Sequence, residues 1–143
     1  MRKEDEILEE RIKSFMQEFI NKLDNKEVVI VSHFDTDGIT SAAIMIQSLK
    51  KLDKKFSLKI VKSLEEKFIS ELPKDKLILF LDLASGSFSH IKNAGLSEVF
   101  IIDHHEISNE LPENVRIINP HLINNQKISS SGLTYLCCKQ INP

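Results

Sequence analysis

The stretch Val28-Val29-Ile30-Val31-Ser32-His33-Phe34-Asp35-Thr36-Asp37-Gly38 sets the reading of the whole chain. Its first four residues are a continuous β-branched run, as expected of a parallel strand covered on both faces. A polar loop follows. From Ile39 to Leu52, Ala42, Ala43, Ile46 and Leu49 recur at helical spacing and would pack on a sheet. The unit is strand, polar loop, helix.

Downstream the same grammar recurs. Leu58–Val61, Leu77–Leu81, Val99–Ile102 and Val115–Ile118 read as strands, with helical segments at Leu64–Leu72, Phe88–Gly95 and Leu133–Gln140. Upstream, Leu8, Ile12, Phe15, Met16, Phe19, Ile20 and Leu23 trace one face of an amphipathic helix from Glu4 to Leu23, which predicts a helix covering the domain's own sheet. Strands alternating with helices predict an α/β fold: an open, doubly wound, mainly parallel sheet of about five strands. The expected organisation is an N-terminal helix over 1–27 and one catalytic domain over 28–143. Asn119–Gln126 is the most loop-like stretch.

Composition bounds the function classes. At 143 residues, with 41% hydrophobic and 28% charged residues, the chain suits one globular domain. A net charge of −2 lacks the basic excess of many nucleic-acid binders. Nine lysines nevertheless lie between Lys50 and Lys76 against five acids, either a weak phosphate-facing surface or a solvated face. Aromatic residues make up 6% with no Trp, so platforms for stacking bases are scarce. Cys137 and Cys138 are adjacent, which disfavours an ordinary disulfide, and they read as buried packing residues in a reducing cytoplasm. No apolar run approaches the ~20 residues of a membrane span.

Ligands of open α/β sheets bind beyond the carboxyl ends of the strands. Those ends carry His33, Asp35 and Asp37 after the first strand, Asp82 after the third, and Asp103, His104 and His105 after the fourth. Converging carboxylates repel one another unless a cation offsets them. Imidazole and carboxylate without thiolate suit manganese, iron, cobalt or zinc in an open catalytic site, and so many ligands suit two ions. Each motif also has a plainer reading: the aspartates of His33–Gly38 as helix caps, Asp82 as a turn residue, the paired histidines as surface. Their joint occurrence at successive strand ends favours metal. His90 reads as surface, whereas His121, after Asn119-Pro120, could approach a phosphate. Ser129-Ser130-Ser131-Gly132, opening a helix, reads as an N-cap and an anion site together.

These motifs, SHFDTDGITSA at Ser32–Ala42, FLDLASG at Phe80–Gly86, DHHE at Asp103–Glu106, and NPH followed by SSSGLTYL at Ser129–Leu136, resemble the DHH phosphoesterase superfamily, and within it the RecJ-like nucleases. The resemblance implies that His33 and Asp35 bind one ion, Asp37 and His104 the other, and Asp82 bridges them. It places His105 against the scissile phosphate, Asp103 behind the imidazoles, and Ser130, Ser131 and Gly132 on a substrate phosphate. The implied cofactors are two divalent ions, manganese foremost, with magnesium or cobalt as substitutes. The implied activity is hydrolysis of single-stranded DNA or RNA from one end. Short substrates such as nanoRNA, cyclic dinucleotides or phosphoadenosine phosphate, or a non-catalytic subunit of a nuclease or replication complex, are the competing readings. Family members also carry a later metal-ligating aspartate and a substrate-gripping DHHA1 domain, neither found before Pro143. The expectation is a fragment of a longer enzyme, or a minimal protein that borrows them from a second copy or a separate DHHA1-type subunit.

Overall fold

The computed structural model describes residues 3–123 and 125–141. The elements, in chain order, are α1 (Lys3–Leu23), β1 (Val28–His33), α2 (Thr36–Lys51), β2 (Phe56–Val61), α3 (Glu66–Ser70), β3 (Leu77–Leu81), α4 (Phe88–Asn93), β4 (Glu98–Ile102), β5 (Val115–Ile118), a short 3-10 turn (Pro120–Leu122) and α5 (Ser130–Lys139). All five strands are parallel, in the order β2-β1-β3-β4-β5. The central strands are buried on both faces, as their unbroken apolar runs require.

Alternation along the strands divides the core. Val28, Ile30, Leu77, Leu79, Phe100 and Ile102 face α1, α2 and α5, whereas Val29, Val31, Ile78, Phe80, Val99 and Ile101 face α3 and α4. Helices on both faces make the sheet doubly wound, as expected. The N-terminal helix covers this same sheet: Phe15 and Phe19 pack edge-on against Phe100 of β4, with ring centroids 5.3 Å apart in each case. Cys137 and Cys138 are buried and unpaired in α5. No described helix is long and apolar enough to cross a membrane.

Element boundaries moved in two functional places. α2 begins at Thr36 rather than Ile39, so Asp37 and Gly38 lie in its first turn. The cause is Asp35, whose carboxylate caps the helix by accepting the Gly38 N–H at 2.8 Å. Gly38 has no substitute there, since a Cβ would lie 2.1 Å from the His33 carbonyl oxygen. Likewise α5 begins at Ser130 rather than Leu133, capped by the Ser129 hydroxyl. Within the stretch expected to be a loop, Pro120–Leu122 forms the 3-10 turn.

The order of the strands reverses between β1 and β3, where the chain leaves β1 for one edge and then crosses back. That is the switch point at which such sheets hold their ligands.

Candidate metal centre

Three adjacent strands, β1, β3 and β4, deliver the expected residues to one place. The Ser32 hydroxyl, fully buried at the end of β1, donates to the carbonyl of Gly38 at 2.7 Å and lies 3.2 Å from that of Leu81, tying β1, α2 and β3 together. Asp82 follows β3 in the left-handed region with φ 63°, and Ala84 has φ 89°. Left-handed backbone is uncommon outside glycine and concentrates where function constrains the chain. Here it follows β3 directly, at the residue that supplies the central carboxylate.

Asp82 lies between the two histidines. Its Oδ2 is 3.6 Å from His33 Nδ1 and its Oδ1 is 3.3 Å from His104 Nε2. Asp35 Oδ2 stands 3.0 Å from His33 Nδ1, and Asp37 Oδ2 stands 3.5 Å from His104 Nε2. Among the described residues, His33, Asp35 and Asp82 form one cluster with ligand atoms within 4.8 Å of one another, and Asp82, Asp103, His104 and His105 form another. His90 belongs to neither and faces Glu66 of α3.

Proton positions sharpen the geometry. His33 Nε2 lies 3.1 Å from the Lys62 carbonyl, which can only accept, so the neutral ring carries its proton there. Its Nδ1 lone pair then faces two carboxylates and makes no geometrically sound hydrogen bond. Both buried oxygens of Asp82 are likewise without hydrogen bonds. Buried acceptors aimed at one another are costly unless a cation sits between them, and the donor set here is oxygen and imidazole nitrogen. The residues fit divalent metal.

Electrostatics agree. Burial, reinforced by Asp35 and Asp37, pushes the Asp82 carboxyl up to about 7 in the metal-free protein. The Asp35 carboxyl is lowered, first by the Gly38 N–H that caps α2. Burial alone would raise that of Asp37, but hydrogen bonds from Ser131 and Ser130 outweigh it and the net shift is downward.

Those hydrogen bonds relocate the serine-rich segment. The N–H groups of Ser130 and Ser131 donate to Asp37 Oδ2 and Oδ1 at 3.0 and 2.9 Å, and that of Gly132 donates to Ser129 Oγ at 3.1 Å. The anion on the α5 N-terminus is therefore Asp37 itself.

Asp103 is fully buried and organises the loop after β4. It accepts the N–H groups of Ser85 (3.2 Å) and His104 (2.8 Å), and its Oδ1 lies 2.6 Å from His105 Nδ1. Burial would lower the His105 pKa, but the Asp103 carboxylate outweighs it and raises it. Asn119 joins the network: its amide donates to the His105 carbonyl at 2.8 Å and to Ser85 Oγ at 3.0 Å. Sequence reasoning gave Asn119 no role, although its place directly after β5, like the other site residues after their strands, was the available signal.

Two clefts flank this centre. One, of about 320 Å³, is lined by His33, Lys62, Ser85, Ser87 and His105 among others. The other, of about 540 Å³, is lined by His104, His121, Asn125, Lys127 and Ser129 among others. His121 reaches the rim of the centre, its Nε2 3.1 Å from the His104 carbonyl.

Residues 27–142 match the model of the DHH family, N-terminal domain. The chain belongs to the DHH family. It is 30% identical over 122 residues to an uncharacterized protein of Methanocaldococcus jannaschii, covering 78% of this chain and 28% of that protein. It is also 30% identical over 133 residues to YorK, a Bacillus subtilis SPbeta prophage protein named for single-strand DNA-specific exonuclease activity, covering 86% of this chain and 23% of YorK. The DHH chain thus spans about a quarter of the length of these relatives. In fold it is RecJ-like. RecJ of Thermus thermophilus in complex with Mn2+ superposes with a TM-score of 0.77 at 19% identity, over 92% of this chain and 20% of RecJ. CDC45 of Entamoeba histolytica superposes with a TM-score of 0.62 at 20% identity, over 91% of this chain and 30% of CDC45.

Proposed function

We propose that this DHH domain is the catalytic core of a metal-dependent phosphodiesterase that hydrolyses single-stranded nucleic acid from an end, in the manner the name of YorK describes. The observation that carries the reading is Asp82, a buried carboxylate whose two bare oxygens face His33 on one side and His104 on the other. His33, Asp35 and Asp82 would hold one divalent ion, and Asp37, His104 and Asp82 the other, with manganese, which two of the matched RecJ structures hold, the favoured species. When bound, such a pair acidifies water and offsets charge on phosphoryl oxygens.

The chain's own groups supply the rest. With Nδ1–H directed at Asp103, His105 presents Nε2 outward. Its raised pKa enlarges the protonated fraction near neutrality, so Nε2–H can donate to a phosphate oxygen or to the leaving oxygen. Asp103 holds that tautomer in place. Ser130, Ser131 and Gly132 at the α5 entrance line the approach for a substrate phosphate, while the backbone N–H groups of Ser130 and Ser131 fix Asp37. Clefts on both sides favour a substrate extending past the scissile bond over a single enclosed nucleotide. An intact set of bare ligand atoms at Asp82 and His33 speaks against a non-catalytic binding subunit.

The test is a time course on end-labelled single-stranded DNA, RNA and dinucleotides with manganese, magnesium or neither. Ladders shortening from one end with manganese are expected. Cleavage of dinucleotides alone points to short substrates, and no cleavage with any metal removes the enzyme reading for this chain by itself.

A further inference from the structure

β2 is an edge of the sheet, and it lacks the two-faced burial of the central strands β1, β3 and β4. Its bonds to β1 fix which backbone groups are left over. The N–H of Val28 bonds to the Lys55 carbonyl and that of Phe34 to the Val61 carbonyl. Backbone groups alternate sides along a strand, so those of Phe56, Leu58 and Ile60 face outward. That is an unpaired template for another strand.

Side chains on the edge are sorted by face. Leu58 and Ile60 pair in register with Ile30 and Ser32 and share the α2 face, yet they are 39% and 43% exposed. Phe34, whose N–H bonds to the Val61 carbonyl at the end of β2, is 49% exposed, and Ile39 in the first turns of α2 is 53% exposed. The opposite face carries Ser57 and Lys59, preceded by Lys55. Between positions 50 and 62 the chain has six lysines and one acid, Asp53. Among the described residues Lys54 pairs with Asp24, while Lys55, Lys59 and Lys62 form no ion pair.

We propose that β2 is a docking edge for an extended peptide whose side chains alternate apolar and acidic, added to the sheet as a sixth strand. The backbone of Phe56, Leu58 and Ile60 supplies the ladder, apolar residues of the peptide cover Leu58 and Ile60, and acidic ones face Lys55 and Lys59. Charge selects this occupant over a second copy of the chain. An antiparallel pair centred on Leu58 sets Lys54 against Lys62 at both ends, and one centred on Lys59 sets Lys59 against itself, and like charges directly opposed are destabilising. Apolar side chains along one whole face likewise disfavour a nucleic-acid strand at this edge.

The experiment titrates the isotope-labelled chain with a capped seven-residue peptide of alternating valine and glutamate, read by amide chemical shifts. Shifts confined to residues 56–62 with Phe34 and Ile39, together with slowed exchange of the Leu58 and Ile60 amides, are expected. Lys59→Glu, on the exposed edge, should weaken binding about fivefold and restore affinity for the matching valine–lysine peptide. No shifts at millimolar peptide, or equal binding of the valine–lysine peptide by the unaltered chain, overturns the proposal. So does a dimer in sedimentation that Ile60→Glu dissolves, or displacement of the peptide by oligothymidylate.

Discussion

Asp82 couples the centre to pH. Its carboxyl titrates near 7 in the folded, metal-free protein against 3.8 in its unperturbed state, so the folded chain holds a proton that the unfolded chain releases. The sign follows: this group's contribution to stability is fully present below the unfolded value and is lost as pH rises through about 7. The thermal midpoint of metal-free protein should therefore carry a falling component between those limits, visible as a difference from Asp82→Asn, which has no such proton. On the proposed function manganese would compete for the same oxygens, so its stabilising shift should be small at pH 5 and large at pH 8, measured by thermal denaturation with and without the ion. In Asp82→Asn that shift should vanish and bound manganese should fall to near zero by elemental analysis. Undiminished manganese would remove Asp82 from the site.

Elements explain why parts of this architecture were legible and parts were not. Five largely apolar runs each ending in polar residues marked the strands, and the chemistry at their ends marked the residues that the structure brings together, because the carboxyl ends of parallel strands lie on one side of the sheet. Starts of α2 and α5 were misplaced because Asp37, Gly38 and Ser130–Gly132 look like loop residues until their caps are seen. The Asp37 link to α5 spans 93 and 94 residues of sequence, and no local pattern records it. Nor did the run Leu58–Val61 reveal itself as an edge, since its apolar residues resemble those of buried strands. Two substitutions test the helix entrances. Gly38→Ala should cost more than about 3 kcal/mol in denaturant unfolding, because the added carbon meets rigid backbone of His33 rather than a movable side chain. Asp37→Asn should cost about 1–2 kcal/mol in metal-free protein and speed amide exchange at Ser130 and Ser131, because the α5 N-terminus loses its anion.

At the scale of the whole molecule, α1 is part of the unit that holds the site, since its buried face and β4 share one core. Phe19→Ala should cost about 3–5 kcal/mol and lower a single cooperative transition that includes the β4 amides. Separate transitions for α1 and the sheet would show instead that the helix is an appendage. The seating of Asp37 on α5 has a consequence for how the protein is made. Synthesis delivers His33, Asp35 and Asp37 early and the Ser129–Ser131 turn last of the described site segments. While the chain is still emerging, Asp37 lacks the two amides that aim it, so nascent chains carry an unfinished centre. Completion of the candidate site is thereby tied to α5, whose Ser130 and Ser131 amides hold the Asp37 carboxylate in place.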